Sequence, residues 1–172
     1  APSLLQWALA NPVAATNAGI ISAETAAAIV SGAVTPSGLL QQVSNPKAAQ
    51  AVYSKLAAAA TQNPQSSEVV LGKYIPGSVN SYEKIAQARG ATYYEVAAWD
   101  GMTKELGDRK MWEINKAFLN KAIAEGKVFV FTNNPEAVMK IAPKSSAAQE
   151  IEHLRSNGYN FMKEGNFYRA TK

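Results

Sequence analysis

Lys73 and Tyr74 stand directly behind the apolar run Val69-Val70-Leu71-Gly72. A lysine brings a positive charge to a phosphate, and a phenol can hydrogen-bond, pass a proton or stack on a ring. Thr132-Asn133-Asn134 follow the strand-like run Lys127 to Phe131 in the same way. Trp99 and Asp100 follow a third such stretch, Ala91 to Ala97. Ser145 and Ser146 open a predicted helix, where hydroxyls and free backbone N–H groups favour an anion. If the three strands lie parallel, their carboxyl ends converge, at the edge where open α/β sheets place ligands. The set could hold a phosphate and stack a base or a nicotinamide ring.

Each residue also has a plainer use. Lys73 suits a solvated strand end, and Tyr74 and Trp99 suit the rim of a core. Thr132 and Asn133 are good turn formers ahead of Pro135, and Ser145 or Ser146 is a good helix cap. His153, the single histidine, is the first group to try as a general base. It sits in Glu150-Ile151-Glu152-His153-Leu154, where flanking carboxylates favour an outer helix face. Asp108-Arg109-Lys110 read as a helix start with charges outward or as part of an RNA-facing patch. Trp112 and Phe118 recur at helical spacing and read as packing.

Several chemistries are excluded or disfavoured. Without cysteine there are no disulfides, thiol nucleophiles or cysteine-bound metals, and one histidine rules out a histidine-rich metal centre. Gly72, Gly77 and Gly90 do not form a dinucleotide fingerprint, and no Walker-type loop is present. No acidic cluster with metal-ligand spacing follows a strand, so a two-metal nuclease is not expected. No metal or other cofactor is anticipated. Hydrophobic residues make up 47% of the 172 positions, enough for a core, and the net charge of +4 permits a polyanionic partner such as RNA.

The positioning elements follow from a break in composition. Before residue 67 the only charged residues are Glu24, Lys47 and Lys55, in an alanine-rich background. Residues 1–66 therefore read as a small helical unit, with short helices over 3–9, from Ser22 to near Gly32, and over 47–60. The last part, Thr61 to Ser67, reads as a linker. The run Ile20 to Val34 is too short and too alanine-rich to span a bilayer stably. No signal peptide is evident, and the start at Ala1-Pro2-Ser3 without methionine reads as a piece of something longer.

From residue 67 strands and helices alternate. A strand at 69–71 precedes a helix from Val79 to Arg89, stopped by Gly90. The stretch 91–97 is rich in strand formers. A turn at Asp100-Gly101 leads to a long helix over 109–125, stopped by Gly126, and then to the strand 127–131. A helix over 146–156 precedes a hairpin of 159–163 and 167–171, turning at Glu164-Gly165-Asn166. The expected fold is α/β: a small N-terminal helical domain, then a three-layer α/β/α domain at 67–172. Its sheet is mainly parallel and mixed, with a C-terminal β-hairpin.

A run of short features carries a further likeness: Val-Val-Leu-Gly-Lys-Tyr at 69–74, Gly-Ala-Thr-Tyr-Tyr at 90–94, and Trp99 before Met102-Thr103. It continues with Trp-Glu-Ile-Asn-Lys-Ala-Phe-Leu at 112–119, Ala-Ile-Ala-Glu-Gly at 122–126, Ser145 to Ile151, and Gly158-Tyr159. Over residues 67–172 the chain resembles the C-terminal toxin domains of bacterial contact-dependent growth inhibition proteins, a class of polymorphic effectors. The alanine-rich part, as in Asn11-Pro12-Val13-Ala14-Ala15 and Ser31-Gly32-Ala33-Val34, resembles the entry domain ahead of such toxins. The Val-Glu-Asn-Asn boundary motif usual in these proteins is not in the sequence.

The resemblance implies a cell-surface or secreted effector fragment that acts in the cytoplasm of a neighbouring bacterium. Its implied partners are a cognate immunity protein, an inner-membrane receptor used for entry and a helper protein of the target cell. The activity expected first is a metal-independent ribonuclease acting on tRNA. Lys73 would then stabilise a phosphorane-like transition state, with Thr132, Tyr74 or Ser145 orienting the phosphate. His153 would be the base if its helix turned it inward. Trp99, Arg109, Lys110, Asn133 and Ser146 would bind substrate. Alternatives are a hydrolase of NAD or another nucleotide, a DNase, and a non-catalytic interaction module.

Overall fold

The computed structural model describes residues 50, 53–54, 56–58, 60–96, 103 and 107–172. The helices expected over 3–9 and from Ser22, and the turn at Asp100-Gly101, lie outside the described residues. Within 47–60, the described residues are helical. The described residues divide into two compact units, one drawn from 1–60 and 96–118, the other from 61–95 and 119–172.

The second unit is mixed α/β. Its strands are β1 (Thr61–Gln62), β2 (Glu68–Leu71), β3 (Tyr93–Tyr94), β4 (Val128–Phe131), β5 (Asn160–Glu164) and β6 (Phe167–Thr171). Its helices are α1 (Tyr82–Arg89), the end of α2 (Asp108–Ala124), α3 (Pro135–Ile141) and α4 (Ser146–Ser156). The four-stranded sheet runs β2-β4-β6-β5, with β2 and β4 parallel and β6 antiparallel to both β4 and β5. A parallel bridge from Val69 to Thr92, carried by Val70 N–H to Thr92 O at 2.9 Å, brings the β3 segment alongside β2. The three expected parallel strands therefore run side by side, and the hairpin forms around the two-residue loop Gly165-Asn166.

β2 and β4 are buried on both faces, as parallel strands usually are. On one face Val70 and Val130 pack with Ala86 of α1, Ala91 and Tyr93. Tyr82 of α1 meets the Tyr93 ring edge-on at 6.5 Å. On the other face Phe129 meets Tyr159 at 5.2 Å and Phe131 meets Phe161 at 6.1 Å, both edge-to-face. Glu68 accepts two hydrogen bonds from Arg89, at 2.6 and 3.0 Å, and a third from Arg169 at 3.5 Å. That cluster joins α1, β2 and β6 on the half-exposed rim of the sheet.

In the first unit, the opening part of α2 buries Met111, Ile114, Ala117 and Phe118. Their three- and four-residue spacing is the helical period expected from the sequence. Among the described residues, no helix is long and apolar enough to cross a membrane.

The four-stranded sheet is mixed rather than mainly parallel, since two of its three pairings are antiparallel, and two elements also depart from the sequence reading. The stretch 61–67 is not a free linker: Thr61 and Gln62 pair with Tyr94 and Tyr93, and the polar residues behind them are tied to the sheet. Asn63 Nδ2 donates to Gly90 O at 2.5 Å, and Thr92 Oγ1 donates to Asn63 O at 2.6 Å. Lys127, 8% exposed, sends its ammonium to Pro64 O at 2.5 Å and Thr92 Oγ1 at 3.3 Å. The residue types that suit a linker here complete the hydrogen bonding of a sheet edge. The other departure is α3, read from the sequence only as a turn before Pro135. Asn134 caps it by accepting from Glu136 N–H at 3.0 Å, and proline takes the first position, where its missing N–H costs nothing.

Burial holds the phenols of Tyr82 and Tyr94 protonated well above the ordinary tyrosine range, and the negative charge of Glu150 adds to this at both. In the unfolded chain both would ionise near pH 10. Above that pH the unfolded state binds fewer protons, so stability falls as pH rises, by about 1.4 kcal/mol per pH unit for each phenol. Denaturant midpoints measured from pH 9 to 12 should therefore decline, and Tyr94→Phe should flatten the slope by about one tyrosine's share.

Candidate functional site

The parallel register sets Glu68 to Leu71 beside Val128 to Phe131, residue for residue. Gly72 and Thr132 are the next pair, at the carboxyl end of both strands, and Thr132 N–H donates to Leu71 O at 2.9 Å. Gly72 has φ +152, and a Cβ there would lie 1.8 Å from Thr132 Oγ1. The glycine is required both for its backbone angle and for the space that the threonine side chain fills.

Asn133 organises the turn. Its Oδ1 accepts from Lys73 N–H at 2.8 Å and from the Thr132 hydroxyl at 3.2 Å. A backbone N–H can only donate, so the amide atom facing Lys73 is the oxygen. That oxygen can only accept, so the Thr132 proton is committed to it and the threonine oxygen keeps its lone pairs for an incoming donor. The Lys73 backbone is held on its other side as well, its carbonyl accepting from Tyr82 N–H at 3.2 Å. Ser81, fully buried, accepts from Ile75 N–H at 2.8 Å and donates to Glu83. The segment carrying Lys73 and Tyr74 is thus fixed through its backbone at both ends. The side chains are left outward: Lys73 is exposed and Tyr74 is 59% exposed.

Asn134 leads from this turn into an open cleft of about 420 Å³. Its walls include Arg155 of α4, Tyr159, and Phe161, Lys163 and Tyr168 of the hairpin. Arg155 pairs with Glu136 at 2.5 Å and lies over the Phe161 ring at 5.6 Å. The Lys172 ammonium lies over the Tyr159 ring at 5.3 Å, and burial pushes the Tyr159 phenol above its ordinary value. Cations alternating with aromatic rings are the surface on which a single-stranded nucleic acid binds.

Of the residues singled out from sequence, Lys73, Thr132 and Asn133 are joined by hydrogen bonds, and Tyr74 is next to them. Ser145 caps α4: its hydroxyl accepts from Ala148 N–H at 3.2 Å and donates to Ala142 O at 2.7 Å. Ser146 is exposed in the first turn of that helix. His153 is half-buried, and its Nε2 meets Asn120 Oδ1 at 2.6 Å. That contact joins His153 to α2. Beyond the end of α4, the Tyr159 hydroxyl donates to Lys127 O, just ahead of β4. Arg109 and Lys110 are in the first turn of α2, in the other unit. Trp99 lies outside the described residues.

Sequence reasoning missed Arg155, Lys163 and Tyr168. The last two could have been found by folding the predicted hairpin about Gly165-Asn166, which sets Lys163 opposite Tyr168. Arg155 gave no such signal, because its place depends on how α4 returns to the sheet. Among the described residues no three His, Cys, Asp or Glu side chains are grouped to hold a metal ion. No family model, curated protein or solved structure matches the chain.

Gly72→Ala should cost about 2 kcal/mol or more, from backbone strain and overlap with the Thr132 side chain. Urea denaturation checks this, with Gly77→Ala as the comparison. Gly77 has φ +72 and nothing near its missing Cβ, so that variant registers backbone strain alone.

Proposed function

We propose that residues 67–172 are an antibacterial toxin domain that cleaves RNA, with tRNA as the expected substrate, and that residues 1–66 serve its entry into the target cell. This reading takes the three-layer α/β/α arrangement for the domain, with α1 on one face of the sheet and α4 on the other. The observation that carries it is the hydrogen-bonded turn of Gly72, Lys73, Thr132 and Asn133, which opens onto a cleft lined by cations and aromatic rings.

The chemistry is an internal displacement. The ribose 2′-oxygen attacks the adjacent phosphorus and loses its proton to a base. The 5′-oxygen leaves with a proton, giving a 2′,3′-cyclic phosphate and a 5′-hydroxyl. Lys73 is assigned to the charge that builds on the non-bridging phosphate oxygens. Thr132 is assigned to the 2′-hydroxyl rather than to the phosphate, because its own proton is committed to Asn133 and its lone pairs can accept. Tyr74 is assigned to proton transfer. The 2′-hydroxyl requirement selects RNA over DNA. The immunity protein, inner-membrane receptor and target-cell helper stay part of the proposal through the resemblance that suggested them.

Purified protein mixed with total tRNA should cleave it with chelator present, while NAD in a parallel reaction stays intact. Loss of NAD with untouched tRNA would favour the nucleotide hydrolase instead. Lys73→Ala and Thr132→Val should each lower cleavage about a hundredfold or more while leaving the unfolding free energy within about 1 kcal/mol of the parent. Full activity in both variants would put the chemistry elsewhere, and the His153–Asn120 pair would be the next place to look.

A further inference from the structure

We propose that the cleft walled by the β5–β6 hairpin and α4 seats one nucleotide unit, its base against Tyr168 and its phosphate against Lys163. The inference deepens the ribonuclease reading and rests on it only for the source of the nucleotide.

Most side chains of the cleft wall are already engaged. Arg155 is held by Glu136 and by the Phe161 ring. Phe161 packs on Phe131, and Tyr159 sits between Phe129 and the Lys172 ammonium. Lys163 and Tyr168 differ from all of these. Among the described residues, neither side chain makes a hydrogen bond, an ion pair or a ring contact. They are also direct register partners across the hairpin, which sets their Cβ atoms about 5 Å apart on the same face of the sheet. An unengaged ammonium beside an unengaged phenol ring, both on a cleft wall, matches a ligand with a phosphate joined to an aromatic base.

The surroundings favour that ligand over an apolar one. The cleft wall carries Asn134 and Asn160, whose amides can meet the mixed donors and acceptors of a base edge. Asn134 spends its Oδ1 on capping α3, so its amide N–H groups are what it can offer. Tyr168 is also the register partner of Phe131, the residue before Thr132. A nucleotide on Tyr168 would therefore lie next to the turn, and its neighbour along a strand would carry a ribose to Thr132. The cleft would set which nucleotide flanks the cut bond.

The test uses the intact chain and a fluorescent, 2′-O-methylated oligoadenylate, which the proposed chemistry cannot cut. Fluorescence anisotropy should report binding that weakens as salt rises. Lys163→Ala should reduce the slope of log affinity against log salt by about 0.7, the share of one phosphate on a single strand. Tyr168→Leu should weaken binding about tenfold or more. Met162→Ala, exposed on the opposite face of the same strand, should change neither. Competition by AMP or NAD as effective as that by unlabelled oligonucleotide would identify a free nucleotide as the ligand and still support the cleft. Failure of oligonucleotide, AMP and NAD all to bind would overturn it. So would parental affinity and salt slope in both Lys163→Ala and Tyr168→Leu, or equal weakening by Met162→Ala. Oligonucleotide binding without tRNA cleavage would overturn the ribonuclease reading alone. Cleavage with an unchanged KM in the Lys163 and Tyr168 variants would overturn the cleft alone.

Discussion

The parallel pairing of Glu68–Leu71 with Val128–Phe131 is the constraint on which the other features depend. Two strands far apart in sequence end at the same level, so their following residues meet without any loop having to reach. The pairing also buries both strands on both faces, which ties the position of the turn to the core. A one-residue slip of either strand would turn its own valine, Val70 or Val130, away from α1, and Gly72 would no longer face Thr132. The core and the candidate site cannot be shifted independently.

A second consequence concerns rigidity. Exposed side chains such as Lys73 and Tyr74 usually belong to mobile loops. Here the backbone that carries them is held by Asn133 on one side and by Tyr82 and Ser81 on the other, and Ser81 is itself buried. Order in the backbone with freedom in the side chains suits a group that must meet a substrate charge without first paying to organise its own loop.

Much of this was legible in the sequence, for local reasons. Val69–Leu71 and Val128–Phe131 are short apolar runs, Gly90 and Gly126 stop helices at positive φ, and Gly165-Asn166 is a tight turn between alternating residues. Each signal lies within a few residues of its effect. The pairing of Thr61–Gln62 with Tyr93–Tyr94 does not, because polar residues in a strand show only when their distant partner is known. The helix at Pro135 was signalled by Asn134, Pro135 and Glu136, but a turn reading accounted for the same residues. At the candidate site, Lys73, Thr132 and Asn133 followed from reasoning about strand ends. Gly72 as the seat of the Thr132 side chain did not, and neither did the role of Arg155. Both depend on contacts between elements that no spacing rule reports.

The contact between Gly72 and Thr132 also limits the order in which this chain could change by successive substitution. A side chain at residue 72 meets the threonine oxygen at 1.8 Å and its Cβ at 3.0 Å. A smaller residue at 132 opens the space first, whereas a larger residue at 72 meets the overlap at once. The route between this sequence and one with a side chain at 72 therefore runs in one direction, through residue 132, and each step on it removes the hydroxyl hydrogen-bonded to Asn133 or alters its surroundings. A lineage that kept the Thr132 hydroxyl in use would be held to glycine at position 72 for as long as it did so.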